Sequence, residues 1–345
     1  MSRVSTLSLS PAELIGAVFS TPLVSLAIAF LIAGLSLAMS RDGRAGKAAA
    51  GHADTPTRSR YAPERRTLGA TAIAVVIVFV VESVVRGYIF NTADVVSWWR
   101  FAFPLFCAAI GIIVLLVLVV TRGKALPEVP VANARRTWTT FGPQRGIVAA
   151  CVTLAALVAT TVSAGLASSP DDRGRYIWLV VPVPNEADID PVRHWFYGWA
   201  YGVPVLICLA LLGAATWTVL HYNASRPYVR PETVIDEKSA RREIAAGAVN
   251  VALAGMLIAL AGAWRFIARA GSGSQLIING QNDGEPYDMT WRYAELAAAG
   301  GWIAPILEII AFALLIVLAV RVFRRPKGEP SGSQDELTTT DASAL

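Results

Sequence analysis

The chain has 345 residues, of which 54% are hydrophobic and 16% charged, with a formal charge of +5 and a mean hydropathy of +0.51. A soluble domain carries about 25% charged residues, so the pair of water-soluble domains that this length would otherwise suggest is excluded. The basic balance would suit a nucleic-acid binder in a soluble protein, but here the basic residues sit in short segments between apolar runs. There, facing anionic lipid explains them, and no nucleic-acid partner is expected.

Seven windows have the apolar length of a membrane span, about 20 residues: 15–39, 68–90, 98–120, 146–168, 195–220, 244–268 and 300–322. Only Arg3 precedes the first, while Arg41, Arg44 and Lys47 follow it. It therefore reads as an uncleaved span with an outside N-terminus, not a signal peptide. The inside segments are then 40–67, 121–145, 221–243 and 321–345. They hold 21 of the 30 lysines and arginines, including all four lysines, whereas the 25 acidic residues divide into 12 inside and 13 outside. Basic residues in short loops set orientation. The expected fold is an all-α integral membrane protein of the plasma membrane. It is a single seven-helix transmembrane bundle over 1–323, N-terminus outside and C-terminus inside, with a disordered cytoplasmic tail over 324–345.

In chain order, loop 40–67 has no apolar periodicity and reads as flexible. Loops 121–145 and 221–243, with Pro127, Pro130, Pro227 and Pro231, are too short to fold alone. On the outside, 91–97 is a short link, and 169–194 and 269–299 are longer. Tyr176–Val181 is β-prone, and Gln275–Ile278 runs into an Asn279-Gly280 turn. Both segments then become acidic (Glu186, Asp188, Asp190; Asp283, Glu285, Asp288) and re-enter the apolar region through Trp195, Phe196 and Tyr197, or Trp291 and Tyr293. The two are expected to pair into a small extracellular cap. The alternative is a pair of separate loops whose aromatics sit in the interfacial belt.

Spans 1, 3, 5 and 7 share an aromatic-x-x-Pro pattern followed by two apolar residues, at Phe19–Val24, Phe101–Phe106, Tyr201–Leu206 and Trp302–Leu307. Duplication of a two-helix hairpin would produce it. So would the tolerance of a helix's first turn for proline combined with interfacial aromatics. Pro204 lies deeper and is expected to kink its helix. Two small-residue stripes, Ala248, Ala252, Gly255, Ala259 and Gly262 on span 6 and Ala155, Ala159 and Ser163 on span 4, permit close helix approach. They place both spans at the bundle centre.

Charges inside spans are costly and default to functional hypotheses. Glu82 and Arg86 stand four residues apart on span 2, Arg100 opens span 3, Arg265 and Arg269 close span 6, and His194 precedes span 5. Glu308, three residues after Pro305, lies about a third of the way into span 7. All fall in the outer third of the bundle. The candidate binding set is Glu308, Glu82, Arg86, Arg100, Arg265 and His194, arranged as an outward-open vestibule for a small solute or a proton. Against it stands the reading that the arginines snorkel to head groups and pair with the glutamates structurally.

Cys107, Cys151 and Cys208 lie in three different spans and read as packing residues. There is no H-E-x-x-H motif, no Cys/His cluster and no G-x-S-x-G elbow, so no metal or other cofactor and no catalytic residue is expected. The functional expectation is a permease-like or channel-like transport protein. The first alternative is a non-catalytic accessory or scaffold subunit of a membrane complex, with a membrane-protein partner or a homo-oligomer. The second is a membrane enzyme using acidic outer-loop residues such as Asp171 or Asp188.

Overall fold

A computed structural model describes residues 21–45, 59–89, 95–122, 137–184, 189–228, 232–273, 275–278 and 285–323. The tail 324–345, the Asn279-Gly280 turn, the acidic residues Glu186, Asp188 and Asp283, and residues 46–58 of loop 40–67 lie outside the described residues. Among the described residues, seven helices are long and apolar enough to cross a membrane. They are α1 (Pro22–Ala45), α2 (Ala62–Val84), α3 (Phe103–Arg122), α4 (Gln144–Ala167), α5 (Trp199–Ser225), α6 (Val234–Gly271) and α7 (Ala294–Phe323).

Each apolar window corresponds to one helix, but three helices begin well before their windows, α2 by six residues at Ala62. The 38-residue α6 begins ten residues before its window, so much of the segment read as loop 221–243 is helical. Hydropathy ends a span at its first charges. Here the helix continues because Glu237 and Arg241 pair across one turn and Arg241 also donates to two backbone carbonyls, which offsets the cost of burying them. Helix α7 begins at Ala294, six residues early, with Glu295 in its first turn, where an acidic side chain complements the helix dipole.

Helix α6 is the axis of the bundle. Helices α2, α3, α5 and α4 follow one another around it, α7 packs against α6 and α2, and α1 lies outside on α7. Of the apolar stretch of α6, 89% is buried. Its small-residue stripe makes this possible. A Cβ on Gly255 would stand 3.2 Å from Ala108 and 3.6 Å from the Pro104 carbonyl oxygen, so α3 approaches to backbone contact there. The expectation for α4 is overturned. Only 22% of its stretch is buried, and Ala155, Ala159 and Ser163 are exposed on its outer side. A small-residue stripe permits close packing but does not supply the partner. Cys151 is exposed on the same helix.

One end of the bundle carries two small sheets and is called the cap end. Between α4 and α5, β1 (Ser169–Pro170), β2 (Tyr176–Val181) and β3 (Val192–Trp195) form an antiparallel sheet, with Trp178 opposite Trp195 and Leu179 opposite His194. Its alternation is that of a strand with one face on the core: Ile177, Leu179 and Val181 are buried. Between α6 and α7, β4 (Gln275–Leu276) pairs with β5 (Tyr287–Asp288). The two segments thus form separate sheets and not one paired cap. They meet through side chains, with Phe196 and Trp291 edge to face at 5.6 Å.

The turn into β2 is closed by Asp171, which accepts hydrogen bonds from the Arg173 and Arg175 N–H groups and from Arg175 Nε. Gly174 supplies the positive φ of 75° that the turn requires. Desolvation works against the Asp171 carboxylate, but these hydrogen bonds and the Arg175 charge outweigh it. They hold its pKa below the ordinary value.

Candidate functional site

Beneath the cap end, α1, α2, α3, α6 and α7 enclose a small half-open cavity of about 110 Å³. Its deepest polar group is Glu308, which is 1% exposed. Pro305, within α7 just before it, has no N–H to give to the Gly301 carbonyl, so this turn of the helix lacks one backbone hydrogen bond. Arg265 reaches across from α6. Its Nε donates to Oε1 at 2.6 Å and its Nη2 to Oε2 at 2.7 Å, the bidentate geometry that makes guanidinium–carboxylate pairs strong. Arg265 Nη2 also meets Ser25 Oγ on α1 at 3.3 Å. The fork therefore ties three helices together, and Glu308 is not an open carboxylate.

The second carboxylate is also committed. Arg86 Nε donates to Glu82 Oε1 at 2.7 Å across one turn of α2. Immediately beyond Glu82 the helix widens into a π-turn at Val85–Ile89, a departure from α geometry that is common at functional sites.

Two guanidiniums remain. Arg100 packs over the rings of Phe101, at 5.1 Å, and Phe266, at 5.7 Å. Those rings belong to an aromatic cluster with Tyr197 and Tyr201. Arg100 lines the cavity and feels the charges of Arg86, Glu82 and Arg269. Among the described residues its guanidinium makes no ion pair or hydrogen bond. Arg269 is exposed at the rim, also without an ion pair among the described residues. Two carboxylates are thus each claimed by one guanidinium, and two further guanidiniums face the space between them.

Of the sequence-derived candidates, Glu82, Arg100, Arg265 and Glu308 line this cavity, and Arg86 is held to it through Glu82. His194 does not join them. It lies on β3, and its buried Nε2 has no hydrogen-bond partner among the described residues.

The opposite end, called the far end, holds a polar cluster that the sequence reading missed. Arg226, after α5, donates to Glu64 Oε1 on α2 at 2.7 Å and to the Val119 carbonyl at the end of α3 through both Nε and Nη2. Arg241 on α6 is wholly buried. It donates to the Arg226 and Pro227 carbonyls at 2.7 Å each and to Glu237 at 3.1 Å. Tyr228 covers its guanidinium at 4.5 Å, and Asn223 Nδ2 donates to the Arg241 carbonyl. The only sequence signal was the Glu237/Arg241 spacing of four, set in a proline-bearing segment that reads as a loop.

Among the described residues, no group of three His, Cys, Asp or Glu side chains is placed to hold a metal ion. Comparison with known protein families, with curated proteins and with solved structures finds no match to this chain.

Proposed function

We propose that this protein is a permease-like or channel-like membrane protein whose cap-end cavity takes a small anion. In the orientation favoured by the basic loops, the cavity opens to the outer face of the plasma membrane. The observation that carries this reading is the pairing pattern: Glu82 and Glu308 are each held by one guanidinium, while Arg100 and Arg269 border the cavity without a carboxylate. A planar guanidinium held on aromatic rings is pre-arranged for an oxyanion, and withdrawing it from water favours an anionic partner. The volume, about 110 Å³, is well under the roughly 300–1,000 Å³ of a site for a drug-sized ligand. The anion is therefore of few atoms, such as phosphate, sulfate or a short carboxylate.

The proton alternative loses support because both oxygens of Glu308 are occupied by Arg265. The enzymatic alternative through Asp171 loses support because both of its oxygens close a turn. In proteoliposomes, uptake of labelled phosphate, sulfate or acetate is expected above that of empty vesicles and is expected to vanish in Arg100→Gln. Absence of anion flux, with a defined partner co-purifying with both forms, would favour the accessory-subunit reading.

A further inference from the structure

The helices around α6 leave one seam. Helices α4 and α7 both pack on α6 but make at most marginal contact with each other. At the cap end this seam opens into a groove of about 570 Å³, within the size range of ligand sites. The exposed small side chains of α4, including Ala159 and Ser163, form one wall. Trp264 and Ile267 of α6 form the floor, and Leu296 of α7 forms the other wall. The groove is built by close approach. A Cβ on Gly300 would fall 1.5 Å from the Trp264 ring, so only glycine lets that indole lie against α7. Gly271 does the same for Trp291, with a Cβ falling 2.6 Å from its ring.

At the upper rim Arg292 is exposed, with its guanidinium over the Tyr293 ring at 4.6 Å. Among the described residues it makes no ion pair, even with Glu295 three positions on.

We propose that this groove is a binding site for one anionic phospholipid of the cap-side leaflet, its acyl chain in the seam and its phosphate on Arg292. The fit is one of charge and polarity along a single axis. An apolar trough at the depth of the span ends leads to a cation and to Trp and Tyr rings, which favour the head-group level. Lining the trough with small residues leaves room for a chain where a neighbouring helix would otherwise pack. The stripe on α4 that has no helix partner is thereby given one. This site is separate from the anion cavity and does not depend on it.

The test uses the full-length protein in mild detergent, mixed with equal amounts of phosphatidylglycerol and phosphatidylcholine bearing the same acyl chains, and read by native mass spectrometry. One retained lipid per chain is expected, with phosphatidylglycerol favoured by about fivefold, the value of one basic residue near an anionic head group. Arg292→Gln should remove the preference while keeping a bound lipid. Ser163→Trp, which fills the trough from an exposed position, should remove the lipid itself, and Ala159→Phe serves if that variant folds poorly. Undiminished lipid retention in the trough-filling variants overturns the site. An unchanged preference in Arg292→Gln overturns the head-group assignment. A dimer that Ser163→Trp disperses would assign the groove to a second copy of the chain and overturn the lipid proposal.

Discussion

The two ends of the bundle dispose of their charge differently: four charged side chains, Glu64, Arg226, Glu237 and Arg241, are buried at the far end, and at the cap end only Glu308 is, among the described residues. At the far end, Arg226 and Arg241 meet carboxylates and, in addition, the backbone carbonyls of Val119, Arg226 and Pro227. That network joins the ends of α2, α3, α5 and α6 and leaves each guanidinium enclosed by acceptors. At the cap end, Arg265 and Arg86 are matched to Glu308 and Glu82, but Arg100 and Arg269 are not matched to any carboxylate among the described residues. What separates a structural cluster from a candidate site is therefore whether the partners already present exhaust the charge.

Removing a partner at the far end should have the largest effect on stability. Arg241→Met leaves Glu237 buried with its main counter-charge gone, and breaking a buried pair costs about 3–5 kcal/mol. The folded yield and the melting temperature in detergent should fall sharply, with no dependence on added anion. Next in size is Glu308→Ala, which strands the Arg265 guanidinium. A buried charged donor left without its acceptor costs upwards of about 1–3 kcal/mol. The double variant Arg265→Met/Glu308→Leu should recover most of that loss, because an apolar pair of similar volume often replaces a buried ion pair at little cost. Failure to recover would mean that the pair does more than hold α1, α6 and α7 together.

Arg100→Gln should cost under about 1 kcal/mol, the scale of a cation–π contact at a partly exposed site. A large destabilisation there would erase the contrast between the two ends. The smallest effect is expected in the cap. The Asp171 pKa is lowered on folding, so the stability it contributes is fully present above the unfolded value of about 3.9 and is lost as pH falls through the lower folded value. Asp171→Asn should therefore reduce protection of the β1–β2 turn in hydrogen exchange at neutral pH and flatten its loss in acid, leaving the helices unaffected.

The seven helices were legible in the sequence because each is a long apolar run, and the pairing of Glu82 with Arg86 was legible from their spacing. The cap-end cluster followed from topology alone, since alternate spans bring their charged ends to the same depth. Hydropathy hid the early start of α6, because Glu237 and Arg241 look like loop residues until Tyr61, Tyr228 and the far-end carbonyls surround them. It also gave α4 and α6 equivalent stripes, when only the order of packing around α6 decides that one is central and the other peripheral. His194 shared its depth with the cluster but not its direction, because strand pairing with Leu179 sets it on a sheet.

The most direct measurement is the melting temperature of the purified protein titrated with phosphate, in the original form and in Arg100→Gln. A bound ligand at a hundred times its dissociation constant stabilises by about 2.7 kcal/mol, so a saturable rise is expected for the original protein and none for the variant, at closely similar starting stabilities. If the two forms rise together, or if neither phosphate, sulfate nor acetate raises the original protein, the unmatched guanidiniums of the cap end are not an anion site.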